Sequence, residues 1–281
     1  LMLYVQIMLI CLKVGNRKKE SALMKHDDVT LVLQGPIEKG KLGTYLVAGM
    51  KNLKYYSETA KTIISTWKGA ELKPSKRFLA KYNIDIIEAS EDLYKNMYRD
   101  ANMNFQVAST LNGLKKVKTK YAIKLRCDES FSDLSKFIQK IKDNPEKIVT
   151  TNMFFSKNSY DPFHPSDHVI GGTTENMKNM FGYAFKVCQK ENTEKQLNAD
   201  YFGVPDLINR DGNNGVSPET FLCFCYLMSK GIALDLNKSV EIMKENYEIV
   251  PLEDMGKFHC KYTISVINNT NYDFYLNNMP Q

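Results

Sequence analysis

Between residues 28 and 151, short apolar segments alternate with segments that have helical periodicity. The apolar segments are 29–33, 62–67, 84–87, 121–126 and 148–151. The helical segments are 44–56, 102–117 and 134–142. Short buried strands that are separated by helices are typical of a mostly parallel sheet with helices on both faces. The sequence therefore predicts an α/β fold built around such a sheet.

After these strands the pattern becomes less regular. Residues 154–172 are rich in Ser, Pro, His, Asp and aromatic side chains, which is a loop composition. The further predicted elements are helices at 174–189 and 217–229 and a strand at 262–267. We expect an N-terminal extension over 1–27 and a single domain over 28–281, with a loop-rich C-terminal half.

Composition narrows the classes of partner. The chain has 281 residues, of which 38 are Lys or Arg and 32 are Asp or Glu, so its net charge is +6. The charges are mixed along the chain and form no dense basic stripe, so no nucleic-acid partner is predicted. The six cysteines show no zinc-type spacing. We expect buried free thiols in a reducing compartment, and hence a cytoplasmic protein.

The first fourteen residues are mostly apolar and precede the basic segment at 16–19. A bilayer span needs about 20 apolar residues, so this segment is too short for one. It has no basic region before it and no clear cleavage site, which argues against a signal peptide. A strand, a truncated leader and a shallow contact with the inner membrane surface all fit the segment.

Residues 121–129 (YAIKLRCDE) carry the main functional signal. On a strand, the side chains of Lys124, Arg126 and Asp128 share one face, and Glu129 follows directly. An internal strand of such a sheet should be apolar, because buried charges are costly unless they are paired or bind an ion. We interpret the row as a site for a phosphorylated ligand at the cations, with Mg²⁺ or Mn²⁺ at Asp128 and Glu129. The structural alternatives are an edge strand with a wet face and an ion pair of Asp128 with Lys124 or Arg126.

The first strand ends in Gln34, Gly35 and Pro36. Ligands of open α/β sheets bind beyond the carboxyl ends of strands, where Gly lets a ligand approach the backbone. This segment is therefore either part of a binding site or a simple turn. It has neither the spacing of a P-loop nor that of a GxGxxG motif.

The helix predicted at 102–117 has a polar face. Its members lie three or four residues apart: Arg99, Asn102, Gln106, Ser109 and Gly113. A solvated face explains this pattern, and so does a ligand-binding face next to the charged strand.

Two further carboxylates are candidate general bases. Asp167 lies in a segment with His164 and His168, and Ser166 and Asp167 alternatively cap a helix or a turn. Glu219 follows Pro218 at the start of a helix, where Pro and an acidic residue are favoured in any case. The same position could hold a carboxylate against an acceptor hydroxyl.

These segments together resemble the WavE-type lipopolysaccharide-synthesis family of glycosyltransferases. The matching segments are 32–37 (VLQGPI), 64–67 (ISTW), 106–114 (QVASTLNGL), 124–129 (KLRCDE), 166–167 (SD) and 218–219 (PE). They occur in the family's order. Family members often carry Arg just before the helix glutamine, where this chain has Phe105. If that arginine contacts the donor, donor binding in this chain either differs or relies on Arg99.

The resemblance implies a GT-A-like fold, a nucleotide-sugar donor and a glycan or glycolipid acceptor of cell-surface polysaccharide or lipopolysaccharide assembly. We expect a donor-binding half over 28–151 and an acceptor half over 152–281. Peripheral membrane contact is one of the open interpretations of the N-terminal segment. The segment around Asp128 would correspond to the family's acidic metal-binding motif. In this hypothesis a hexosyltransferase-like enzyme uses the cation with Lys124 or Arg126 to offset charge on the leaving diphosphate, while Asp167 or Glu219 deprotonates the acceptor.

Two alternatives remain open from the residues. One is a nucleotidyltransferase that acts on a sugar phosphate, which would ordinarily need a second firm carboxylate beside Asp128 for two metals. The other is a non-catalytic module that binds sugar, for which Phe105 is modest support. Release of pyrophosphate indicates the first, and donor binding without turnover indicates the second.

Overall fold

The computed structural model describes residues 25–35, 44–68, 75–89, 103–153, 155, 162–189, 198–207 and 215–259. Within them, seven strands form a sheet: β1 (His26–Gln34), β2 (Ala60–Trp67), β3 (Ile84–Ala89), β4 (Tyr121–Arg126), β6 (Ile148–Thr151), β7 (Ile170–Thr173) and β8 (Tyr247–Val250). Strands β5 (Ser130–Phe131) and β9 (Phe258–His259) form a separate antiparallel pair.

The order of the seven strands is β3-β2-β1-β4-β7-β6-β8. Strand β7 is antiparallel to both of its neighbours, and the other pairs are parallel. Six strands therefore run in the same direction, so their carboxyl ends lie along one edge. The entry to β7, which follows the loop at 162–169, lies along that edge too, because Lys124 pairs with Ile170.

Helices cover both faces of the sheet. They are α1 (Thr44–Thr59), α2 (Lys76–Tyr82), α3 (Met103–Leu114), α4 (Ser135–Asp143), α5 (Thr174–Cys188), α6 (Pro218–Ser229) and α7 (Ser239–Asn246). One buried core joins Val32 and Ala122 to α3, α5 and α6. The opposite core joins Leu31 and Ile123 to α1 and α4. Neighbouring residues of a strand thus enter different cores, as the pleat requires.

Local signals explain where α5 and α6 begin. The Thr173 hydroxyl accepts a hydrogen bond from the Asn176 amide at 3.2 Å, and the Ser217 hydroxyl accepts one from the Thr220 amide at 3.2 Å. Pro218 occupies the first turn of α6, where a missing N–H costs nothing. The predicted start of this helix is confirmed. Within the described parts of the chain, every helix is too short or too polar to span a lipid bilayer.

The predicted α/β architecture with a mostly parallel sheet is confirmed. Strands 121–126 and 148–151 have the predicted bounds, and the other predicted elements between 28 and 151 shift by a few residues at their ends. The interpretation of 154–172 as loop alone was wrong at its end, because β7 begins at Ile170. The strands at 130–131, 247–250 and 258–259 and the helices α2 and α7 were not predicted. The strand predicted at 262–267 and the extension at 1–24 lie outside the described residues.

Candidate functional site

The carboxyl ends of β1 and β4 meet where the chain changes direction across the sheet. Strands β2 and β3 lie on one side of β1, and β4 lies on the other. Gln34 pairs with Arg126, and its carbonyl accepts a hydrogen bond from the Cys127 amide at 2.9 Å. Gly35 has a φ of 111°, a conformation that favours glycine, and its amide donates to the Ser65 carbonyl at 3.1 Å. This reversal of strand order is where open α/β sheets bind ligands.

The charged row lies inside the sheet. Strand β4 is flanked by β1 and β7, and Lys124 is fully buried while the Arg126 side chain is 21% exposed. Ile123 and Leu125 enter the opposite core. The predicted alternation is therefore confirmed, and the edge-strand alternative was wrong because both edges of β4 are paired.

Asp167 is bound by groups from two other elements. The Lys124 ammonium donates to the Asp167 carbonyl, and the Gln106 side-chain amide donates to Asp167 Oδ2 at 2.6 Å. Burial alone would raise the pKa of Asp167, but the charges of Lys124, His168 and Arg126 outweigh it and hold that pKa far below its usual range. Burial lowers the pKa of Lys124 to about 8. Asp167 is therefore a firmly ionised anchor of this cluster.

The interpretation of Ser166 and Asp167 as a helix cap was wrong. The next helix, α5, is capped by Thr173. The Ser166 hydroxyl instead accepts from the His168 amide at 3.3 Å, so the turn-cap alternative holds for Ser166. The side chain of Asp167 binds Gln106.

Asp128 forms a two-point ion pair with Arg126. Arg126 Nε and one terminal nitrogen each lie 2.9 Å from an oxygen of Asp128, and Arg126 Nε lies 3.4 Å from Glu129 Oε1. Glu129 Oε1 also contacts His168 Nδ1. Burial alone would lower the pKa of His168, but Glu129 and Asp167 raise it above its ordinary value. The structural ion-pair alternative is confirmed for Asp128 with Arg126.

These contacts engage the carboxylate oxygens that were predicted to bind the divalent cation. Both oxygens of Asp128 face Arg126, and Glu129 Oε1 is engaged by His168. Glu129 Oε2 is buried without a hydrogen-bond partner. Nowhere in the described ranges do three or more His, Cys, Asp or Glu residues form a group that could hold a metal ion. As arranged, the donor set does not fit Mg²⁺ or Mn²⁺, which need several open oxygen ligands, and Asp128 and Glu129 as ligands stay a prediction.

A second pair lies at the start of α6. His164 Nε2 lies 3.6 Å from Glu219 Oε2. His164 is 3% exposed and the Glu219 side chain is 18% exposed. Glu219 is therefore the member of the pair that reaches towards solvent.

The polar face predicted for α3 packs against the sheet. Ser109 donates to the Phe105 carbonyl at 2.5 Å, and its own carbonyl accepts from the Ser65 hydroxyl at 2.6 Å. Gly113 packs against Val32 of β1. The face lies against the sheet rather than in solvent, and of its described members Gln106 contacts the charged cluster.

Some predicted site residues cannot be placed. Pro36, Arg99 and Asn102 lie outside the described residues. Conversely, His168 was predicted only as a neighbour of Asp167, whereas it also contacts Glu129. No spacing in the sequence signals that contact, because the two residues are 39 positions apart.

Residues 29–203 match the family model described as WavE lipopolysaccharide synthesis. This is more than half of the chain. No curated protein sequence matches it.

The chain is also similar to solved structures. Mouse xyloside xylosyltransferase 1 in its apo form has 9% identity and a TM-score of 0.40, covering 80% of this chain and 85% of that one. An active-site mutant of LgtC has 10% identity and a TM-score of 0.38, covering 68% and 85%. A cytidylyltransferase from Leptospira borgpetersenii serovar Hardjo-bovis has 11% identity and a TM-score of 0.36, covering 78% and 95%. These likenesses are too distant to assign an activity.

Proposed function

Because the chain belongs to the WavE lipopolysaccharide-synthesis family, we propose that it is a glycosyltransferase that uses a nucleotide-sugar donor. The acceptor in this proposal is a cell-surface polysaccharide or a lipopolysaccharide-type glycan. The observation that carries the proposal is the buried charged cluster at the carboxyl ends of β1 and β4. Every described member of that cluster falls within the matched residues.

The cluster brings together side chains from separate parts of the chain. It comprises Gln106 of α3, Lys124 and Arg126 of β4, Asp128 and Glu129 after it, and Asp167 and His168 before β7. Removing charged groups from water costs several kcal/mol for each ion, roughly, and packing alone would be served as well by apolar residues. Its place at the reversal of strand order supports a ligand-binding role.

Donor binding is assigned to this edge. The nucleotide would lie against the backbone of Gln34 and Gly35. Gln106 would contact it from α3. Pro36 and Arg99 complete the donor-binding set in the proposal. Arg126, the partly exposed cation, would face the diphosphate, and Asp128 orients its guanidinium. Lys124, which is fully buried and bound to the Asp167 carbonyl, would add its positive charge from behind.

The proposed reaction is a single group transfer. The acceptor oxygen bonds to the anomeric carbon of the sugar, and its proton passes to a carboxylate of the enzyme. The bond from the anomeric carbon to the diphosphate breaks, and its electron pair leaves with the nucleoside diphosphate, whose charge Lys124 and Arg126 offset. Of the two predicted bases, Glu219 suits proton acceptance better, because the buried cationic neighbours of Asp167 hold its pKa so low that its carboxylate is a weak base.

No step of the proposed reaction uses a divalent cation. Binding of a cation at Asp128 would require Arg126 to release both carboxylate oxygens.

We also propose that 28–151 forms the donor half and 152–281 the acceptor half of one domain. In this proposal the protein works in the cytoplasm at the inner membrane surface.

The test is a screen of UDP- and GDP-sugars by thermal shift, with and without Mn²⁺, followed by an assay for released nucleoside diphosphate. A donor at 100 times its dissociation constant stabilises the folded state by about 2.7 kcal/mol. We expect Arg126→Gln to weaken donor binding about tenfold or more, because it removes a charge from the diphosphate site. The matched control is Arg77→Gln on the exposed surface of α2.

Three results would count against the proposal. Release of pyrophosphate would indicate nucleotidyl transfer, and tight donor binding without turnover on any glycan pool would indicate a binding module. Equal donor affinities for a folded Arg126→Gln protein and the wild type would remove the charged cluster from the donor site.

A further inference from the structure

His164 is a buried histidine that the proposed chemistry does not yet use. Its Nε2 lies 3.6 Å from Glu219 Oε2. Its Nδ1 is buried and has no hydrogen-bond partner. Among the described residues, His164 is the titratable side chain that lies within ion-pair distance of Glu219.

The backbone before His164 is held in an uncommon conformation. Phe163 has a φ of 62°, in the left-handed region that residues other than glycine rarely adopt. Its ring is fully buried and packs edge-on against Phe224 of α6, with ring centroids 5.6 Å apart. A strained residue persists where packing determines its position, and such residues cluster at functional sites. The packing of Phe163 on α6 therefore fixes the imidazole of His164 beside the helix that carries Glu219.

The unpartnered Nδ1 selects one form of the ring. A buried N–H without an acceptor is costly, and a buried imidazolium with an unpaired donor is costlier still. The tautomer with its proton on Nε2 leaves no unpaired N–H at Nδ1. Nε2 faces Glu219 Oε2 at 3.6 Å, which is a close contact but longer than a hydrogen bond.

We propose that His164 is a positioning residue that orients the carboxylate of Glu219, the base for the acceptor hydroxyl. This rests on the proposed glycosyl transfer. Glu219 takes the acceptor proton and later returns it to solvent, while the His164 proton stays on Nε2 throughout. Exposure supports this division, since Glu219 reaches towards solvent and His164 does not.

The test compares two amide substitutions at His164 in the full chain. The Gln side chain in His164→Gln can place an N–H where Nε2–H lies, whereas the shorter side chain in His164→Asn cannot. We expect His164→Asn to lower kcat about tenfold or more, because the Glu219 carboxylate loses the group that orients it towards the acceptor hydroxyl. We expect His164→Gln to retain most of the wild-type kcat. The KM for the nucleotide sugar should stay unchanged in both variants.

Controls separate this role from folding. His26→Phe, at the start of β1, serves as a histidine variant away from the site, and thermal melting checks each protein. If His164→Asn does not fold, His164→Phe is the second variant, since it keeps a ring of similar size and lacks the N–H. It should lower kcat to a similar extent while the KM for the nucleotide sugar stays unchanged.

The outcomes distinguish two failures. Turnover by the wild type with equal kcat values for folded His164→Asn, His164→Gln and the wild type would overturn the positioning role alone. A wild-type kcat in folded His164→Phe would do the same. Absence of turnover by the wild type on every donor and acceptor pool would overturn the proposed function and, with it, this role.

Discussion

Lys124 is a lysine with no exposure to solvent at the centre of a sheet. Desolvation lowers its pKa to about 8, and the nearby carboxylates limit that fall. The surrounding cations lower the pKa of Asp167 despite its burial, because they favour the charged carboxylate. Each residue thus depends on the other for its charge state, and removal of either would leave a buried charge with fewer partners.

This dependence predicts a pH-dependent stability for Asp167→Asn. The pKa of Asp167 is lower in the folded state than its ordinary value of about 3.9, so the carboxylate stabilises the fold above that pH. We expect Asp167→Asn to cost about 3 kcal/mol at pH 6. The difference in the free energy of unfolding between Asp167→Asn and the wild type should decrease by up to about 1.4 kcal/mol for each pH unit below about 4. Urea unfolding between pH 6 and pH 3 measures both values.

The control for this series is Asp85→Asn, since Asp85 is an exposed partner of Lys61 at 2.8 Å. Exposed ion pairs contribute roughly 0–1 kcal/mol, so the stability of this variant should stay near wild type throughout. A difference between Asp167→Asn and wild type that is equal at pH 6 and pH 3.5 would contradict the ionised state assigned to Asp167.

The charged positions themselves were predictable, but their partners were not. Alternation along β4 placed Lys124 and Arg126 on one face because a strand has a period of two. Gln106 and Lys124 bind Asp167 across separations of 61 and 43 residues. Such contacts follow from the topology of the sheet, which local periodicity does not encode.

At the scale of elements, α3 is the helix that joins the site to the sheet. Ser65 of β2 donates to the Ser109 carbonyl, and a Cβ at Gly113 would lie 2.5 Å from Val32 Cγ1 and 3.0 Å from Ser65 Cβ. The helix therefore lies very close to β1 and β2. That close approach brings Gln106 within 2.6 Å of Asp167.

Two glycines in helices make a matched test of this packing. Gly113→Ala should lower the free energy of unfolding by about 1–3 kcal/mol, because the added methyl group forces α3 away from the sheet. Gly182→Ala in α5 should raise it by about 0.5–1 kcal/mol, since a Cβ there meets no atom within 4 Å and Ala favours the helix. Urea denaturation of both variants gives the comparison. A Gly113→Ala protein as stable as Gly182→Ala would show that α3 does not need this close contact.

Strand β7 illustrates why one element escaped prediction. Its sequence, Ile170 to Thr173, has two central glycines, which are unfavourable in strands. A Cβ at Gly171 would lie 2.4 Å from Ile141 Cδ1 and 2.9 Å from Phe137 Cε1 of α4, so glycine fits the close packing of this helix on the sheet. The glycine that lets β7 pack under α4 is thus also the reason why residue propensities do not predict a strand there.

At the scale of the molecule, strand direction collects the polar groups at one edge. Six strands point the same way, and the loop at 162–169 reaches the same edge before β7 runs back. The predicted α/β pattern was sufficient for the arrangement of parallel strands. It was not sufficient for the antiparallel entry of β7, which supplies Asp167 and His168 to the site.

This polarity predicts an asymmetric response to the donor in hydrogen–deuterium exchange. With the tightest-binding nucleotide sugar of the screen at about 100 times its dissociation constant, peptides over 126–129 and 162–169 should gain protection, because both flank the proposed donor site. Peptides over 115–120 and 144–147 are internal controls, since they precede β4 and β6 at the opposite edge of the sheet. Their exchange should change only as far as global stabilisation requires. In Arg126→Gln the local protection should disappear at the same donor concentration. Protection confined to the control peptides would place the donor at the other edge and separate the charged cluster from its binding.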